Sequence, residues 1–88
     1  MDINKFIPKA KELVAEYTNN HLDVTDEHPG LNPEDVYVVW YSKTLHHAKV
    51  LLSTPLPDGM YYEVTLNGVK NEIYFDAYKK FHNMRVEV

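Results

Sequence analysis

Five histidines, His21, His28, His46, His47 and His82, stand among thirteen acidic side chains, and these supply most of the chemically able groups of the chain. His21 and His28 flank Asp23, Asp26 and Glu27, which gathers nitrogen and oxygen donors in one short stretch. Imidazole with carboxylate is a donor set for zinc or a harder cation, but zinc sites repeat their ligands at spacings that this stretch lacks. His46 and His47 are adjacent and would point to opposite faces of a strand. The histidines are therefore assigned to the surface and to helix ends, and no metal is expected. Glu63 and Glu72 are a second candidate, because paired carboxylates divide acid and base roles when burial drives their pKa values apart. On an open sheet face without a cleft they would not do so. Ser42, Thr44, Ser53 and Thr54 have no base beside them in sequence, and no nucleophile-elbow motif occurs. Gly30, Gly59 and Gly68 are isolated, so no phosphate-cradling loop exists. There is no cysteine, which excludes disulfides, thiolate metal sites and thiol nucleophiles. The expectation is a protein that is not an enzyme and uses no cofactor.

Charge is more informative than catalysis. The net charge is −4, and it is unevenly spread. Residues 12–42 contain no Lys or Arg and hold Glu12, Glu16, Asp23, Asp26, Glu27, Glu34 and Asp35. Such a span repels nucleic acid and attracts basic partners. Seven tyrosines, Tyr17, Tyr37, Tyr41, Tyr61, Tyr62, Tyr74 and Tyr78, add the residue type that dominates protein interfaces when exposed.

The elements that must position these groups follow from hydrophobic period. In residues 4–22, Phe6, Ala10, Leu13, Val14, Tyr17 and then His21 or Leu22 recur at spacings of three and four, one stripe of an amphipathic helix. Asp2 or Asn4 caps its start, and Pro8 falls in the first turn. Residues 23–35 carry the Pro29-Gly30 and Asn32-Pro33 turn signals and read as a loop. Residues 36–44 alternate Val36, Val38 and Trp40 with Tyr37, Val39 and Tyr41, apolar on both sides, which predicts a central strand covered on both faces. Residues 48–54 are a second strand, reached through Leu45-His46-His47, with Ala48, Val50 and Leu52 inward.

Asn67-Gly68 lies between two strand-like runs, the strongest short-range hairpin signal. A two-residue turn there pairs Leu66 with Val69, Val64 with Asn71, Tyr62 with Ile73 and Met60 with Phe75 on the helix side. The other side pairs Thr65 with Lys70, Tyr61 with Tyr74, and Glu63 with Glu72, a like-charge conflict. Asp76 is expected to cap a short second helix over residues 77–82, and residues 84–88 alternate as an optional fifth strand. The predicted fold is one α+β domain over residues 1–88: an N-terminal helix on a four-stranded, or with residues 84–88 five-stranded, antiparallel meander, with a short C-terminal helix. The chain holds no apolar run long enough to span a membrane and no signal-peptide pattern at its start, so a cytosolic protein is expected.

The element order has a likeness to double-stranded-RNA-binding domains, which hold phosphates on a basic second helix. Here that position reads Asp76-Ala77-Tyr78-Lys79-Lys80, and with Arg85 it forms only a small basic cluster. Direct nucleic-acid binding is the weaker expectation.

Several stretches resemble a small family of proteins from temperate phages and prophages of Gram-positive bacteria. They are Asp2-Ile3-Asn4-Lys5-Phe6, Val38-Val39-Trp40-Tyr41-Ser42-Lys43-Thr44-Leu45, Leu51-Leu52-Ser53-Thr54, Glu72-Ile73-Tyr74 and Asp76-Ala77-Tyr78-Lys79-Lys80-Phe81. The most specific is Leu56-Pro57-Asp58-Gly59-Met60-Tyr61-Tyr62-Glu63-Val64-Thr65, and residues 23–35 match least. No activity is assigned to that family, so no catalytic residues carry over. The resemblance implies a small accessory protein of viral origin in the bacterial host cytosol. Together these readings predict a non-enzymatic phage or prophage protein acting by protein–protein contact, one form being an acidic, anti-CRISPR-like inhibitor of a host defence or nucleic-acid enzyme. The expected contact residues are Asp23, Asp26, Glu27, Glu34, Asp35, Tyr61 and Tyr74, set against a host protein with a basic surface. Two other classes stand beside it: an oligomeric protein that sequesters a small ligand or nucleotide, and a nucleic-acid-binding module. A homo-oligomer fits any of the three.

Overall fold

Asp2 opens the chain's only long helix among the described residues. Its Oδ1 accepts the Asn4 backbone N–H at 3.0 Å and starts a single 3-10 turn, Ile3–Lys5, that runs into α1, Phe6–His21. These positions come from a computed structural model that describes residues 1–21 and 30–88. Pro8 lies in the first turn of α1, where no intrahelical N–H is required. Phe6, Ala10, Val14, Ala15 and Thr18 form the buried stripe. No helix among the described residues is long and apolar enough to cross a membrane.

Four antiparallel strands follow in chain order: β1, Tyr37–Thr44; β2, His47–Ser53; β3, Met60–Asn67; β4, Glu72–Lys79. Alternation sorts their side chains. Ala48, Val50 and Leu52 of β2 and Tyr62, Val64 and Leu66 of β3 are buried beneath α1. Ile73 and Phe75 of β4 pack at the margin of this core, and Leu31 and Val36 close its end. Helix α1 packs chiefly over the two middle strands and reaches the outer two through single rings, Phe6 towards Tyr41 of β1 and Tyr17 towards Phe75 of β4. The molecule measures 41 × 41 × 18 Å, a thickness that accommodates one helix layer and one sheet layer, and among the described residues no helix or strand lies behind the sheet. The described part is thus an N-terminal helix on a four-stranded antiparallel meander, an α+β fold.

Four side chains fix the approaches to the sheet. Asn19 clasps Leu31, donating from Nδ2 to its carbonyl at 2.9 Å and accepting its N–H on Oδ1 at 2.6 Å. A 3-10 turn, Pro33–Asp35, then leads into β1, with the Asp35 carboxylate accepting the Asn32 N–H at 3.0 Å. Between β2 and β3 the Ser53 hydroxyl donates to the Met60 carbonyl at 2.9 Å, and Thr54 Oγ1 accepts the Leu56 N–H at 3.3 Å.

The structure corrects four sequence expectations. The predicted second helix over residues 77–82 is absent: β4 continues to Lys79, and residues 80–88 form neither helix nor strand, so the optional fifth strand is absent too. Tyr74, Phe75 and Tyr78 are good strand residues, and a full ladder with β3 outweighs a cap signal at Asp76. The β3–β4 register is also displaced. Leu66 pairs with Ile73, Val64 with Phe75, Tyr62 with Ala77 and Tyr61 with Tyr78, which leaves residues 68–71 as a four-residue loop. Asn67 still directs this turn, but by side-chain chemistry. Its Oδ1 accepts the N–H of Val69 at 3.2 Å and of Lys70 at 3.1 Å, and Asn71, not Asn67, takes the positive φ of 55°. A displacement by four residues is even, so every side chain keeps its predicted face. Lastly, β1 is an edge strand rather than a central one, and all eight of its residues are exposed.

Gly68 is needed for close approach. A Cβ there would overlap the backbone carbonyl of His46, where the β1–β2 turn meets the β3–β4 loop. Gly68→Ala should therefore cost about 1–3 kcal/mol through forced backbone displacement, read as a lower midpoint in urea with an unchanged slope.

Candidate functional site

The face of the sheet turned away from α1 carries no helix among the described residues, and its composition follows from register. One row across the four strands runs Trp40, Leu51, Glu63, Asp76, from β1 to β4. The next runs Ser42, Lys49, Thr65, Tyr74. On the other side of the first row Tyr61 lies opposite Tyr78, and Tyr37 lies opposite Ser53 on the same face. A shift between Val38 and Trp40, a β-bulge at Val39, is what places Trp40 here rather than over the helix side. Trp40, Tyr74 and Tyr78 are 45%, 49% and 50% exposed, unusual for rings that have a sheet to lean on.

Charge is set within this aromatic floor. Glu63 and Asp76 are direct cross-strand neighbours, so the like-charge conflict expected at Glu63 persists with Asp76 in place of Glu72. Lys49 relieves one of the two, its Nζ lying 2.7 Å from the Glu63 carboxylate. Among the described residues Asp76 has no ion-pair partner. The hydrogen bond and charge of Glu63 raise the Lys49 pKa above its ordinary value. The negative charge of Asp76, then that of Glu63, raises the Tyr78 phenol. Tyr74 is raised as well, because its hydroxyl donates to the Glu72 carboxylate. Lys80 lies over the Tyr61 ring at 5.6 Å from the centroid, a cation–π contact that already uses one side of that ring.

Asp76→Asn tests this field. Without the carboxylate the Tyr78 phenolate is less disfavoured, so its ionisation midpoint should fall towards the ordinary tyrosine value in an ultraviolet titration. The sign for stability follows. A phenol raised in the fold contributes stability below the unfolded tyrosine pKa, near 10, and loses it as pH rises through the higher folded value.

The predicted contact residues do not form one surface. Tyr61 and Tyr74 share the open face but are four positions apart along adjacent strands, because Tyr61 pairs with Tyr78 and Tyr74 with Thr65. Glu34 lies on the helix side, lining a groove of about 350 Å³ with Ile7, Pro8, Lys11, Glu12 and Pro33. Lys11 and Glu12 stand at the same groove, so the acidic character of this corner is mixed. Asp35 is engaged in the turn described above. Asp23, Asp26, Glu27 and His28 fall outside the described residues. His21 stacks on Tyr17, with ring centroids 4.1 Å apart, and its Nδ1 donates to the Tyr17 carbonyl at 2.8 Å, so it serves the end of α1. No group of three or more metal-capable side chains occurs among the described residues. Ser42 and Thr44 line a shallow groove with His47, Lys49 and Thr65, yet among the described residues no hydrogen bond joins either hydroxyl to His47.

Sequence reasoning missed Trp40, Leu51, Asp76 and Tyr78 as members of this face. A helix assigned over residues 77–82 hid Tyr78, and a β-bulge, which leaves no mark in a hydrophobic period, hid Trp40.

Residues 7–88 match the model of a family described as Family of unknown function (DUF6275), and the chain belongs to that family. No curated protein matches the chain. No solved structure matches it either.

Proposed function

We propose that this member of the DUF6275 family is a non-enzymatic binding protein that engages a basic protein surface with the open face of its sheet. One observation carries the reading: Asp76, without an ion-pair partner among the described residues, stands beside Glu63 in a floor that holds the half-exposed aromatics Trp40, Tyr74 and Tyr78. Such a surface suits an arginine or lysine from a partner. The carboxylates meet its charge and the rings take its stem, through cation–π contact and buried apolar area. Aromatic side chains around a desolvated charge pair are also the residue types that concentrate binding energy. The setting we propose is the bacterial cytosol, in the hands of a temperate phage or prophage, on the strength of the likeness over residues 56–65. A basic surface that normally holds phosphates, on a host defence or nucleic-acid enzyme, is the proposed target. The acidic corner at Glu34 then acts as a distant source of attraction rather than as the contact itself.

The test uses immobilised protein as bait in a bacterial lysate, comparing wild type with Asp76→Lys and with Trp40→Ala. The reading expects a basic protein retained at low salt by wild type, released as ionic strength rises, and not retained by either variant. Equal retention by all three would overturn it.

A further inference from the structure

We propose that two copies of this chain join edge to edge through antiparallel pairing of β1, forming one continuous eight-stranded sheet. The observation is an edge strand with a five-residue run that holds no charge and no proline, its protection being the bulge at Val39 and Lys43 near its end. Natural edges are blunted by charge, proline or cover, because their outer N–H and C=O groups otherwise template another strand. The opposite edge, β4, carries Glu72, Asp76 and Lys79. In β1 the only charge is Lys43, near the end, and Tyr37, Val38, Val39, Trp40 and Tyr41 are each between 36% and 49% exposed. The bulge at Val39 adds local twist but leaves this run uncharged, and among the described residues its outer edge is unpaired.

Charge order selects a second copy as the occupant. Glu34 and Asp35 precede the apolar run and Lys43 follows it. An antiparallel neighbour of the same sequence therefore meets acid with base at both ends. Tyr37 and Trp40 share the open face, so the register that keeps faces together sets Tyr37 beside Trp40 of the partner subunit. Glu34, in the 3-10 turn that leads into β1, then stands at the end of the strand where Lys43 of the partner subunit arrives, and the two-fold axis repeats the approach. Edge pairing satisfies the outer backbone groups of β1 and covers the flanks of these five side chains, while the part of Trp40 turned to the open face stays free. Both open faces then lie on one side, and the two Glu63–Asp76 pairs join a single surface. A basic partner with repeated arginines would gain from that doubling.

Sedimentation velocity on the full chain, across micromolar to submillimolar concentration, tests the proposal. Wild type should be a dimer. Val39→Lys, at an exposed position beside the two-fold, should weaken it at least about a hundredfold by placing like charges face to face. Lys43→Glu should weaken it about tenfold, and Glu34→Lys with Lys43→Glu should restore it. Circular dichroism checks that the variants fold; if Val39→Lys does not, the charge exchange decides alone. A wild type that stays monomeric throughout would overturn the proposal. A dimer indifferent to Val39→Lys, or one that the double exchange leaves as weak as Lys43→Glu, would do so too.

Discussion

Phe6→Ala is expected to lower the melting temperature by more than about 12 °C. The Phe6 ring is fully buried at the start of α1, with the Tyr41 ring centroid 6.5 Å away. Truncating such a ring removes its transfer energy and leaves a cavity, together about 3–5 kcal/mol. A domain of this length holds about 4–13 kcal/mol in all, so the change consumes a large fraction of it. Each kcal/mol moves the midpoint by about 4–8 °C at this size, which gives the stated shift. Phe81→Ala is the matched control: the same truncation at a ring that is 89% exposed should leave the midpoint within a degree or two. Equal losses at both positions would mean that residues 80–88 pack in solution and that the core is wrongly drawn. The measurement is a pair of calorimetric scans at one protein concentration.

The second large effect concerns binding. Trp40→Ala should weaken a purified partner at least about thirtyfold, equivalent to about 2 kcal/mol, because a central tryptophan is the commonest residue to cost that much when truncated. Stability should scarcely change, since Trp40 is 45% exposed and belongs to no part of the core. Asp76→Lys should act differently, converting attraction into repulsion and removing most of the salt dependence. Glu12→Gln, on the helix side at the mixed groove with Lys11 and Glu34, should alter the association rate at most a few-fold. Titration calorimetry at two ionic strengths separates these outcomes.

Particular elements explain what the sequence could and could not disclose. The stripe from Phe6 to Tyr17 announced α1 because a buried helix face leaves a 3.6-residue period: Phe6, Ala10 and Val14 are buried, Leu13 and Tyr17 pack half-buried beside them, and Ala15 and Thr18, outside the stripe, complete the buried face. The strand alternation at Ala48, Val50 and Leu52 was equally plain, since one covered face leaves a period of two. The β3–β4 loop misled in length but not in consequence. Asn67-Gly68 marks a turn whichever of its residues takes the left-handed conformation, and an even displacement preserves faces. Two features were not legible. Apolar residues on both sides of β1 resemble a buried central strand, and only the sheet order shows that β1 is an edge strand, with all its residues exposed. The pairing of Glu63 with Asp76 depends on loop length, which local propensity does not determine. The candidate site was half visible for the same reason: Tyr61 and Tyr74 follow from alternation, whereas Trp40 needs the bulge and Tyr78 needs β4 to run its full length.

The open face is tested most directly by nuclear magnetic resonance, titrating isotopically labelled protein with a short arginine-containing peptide at low salt. The account predicts progressive shifts at the Trp40 indole, the Tyr78 ring and the Asp76 amide, diminished by salt and missing in Asp76→Lys. Shifts confined to the helix side, around Glu12 and Glu34, with the Trp40 and Tyr78 signals unmoved, would contradict it.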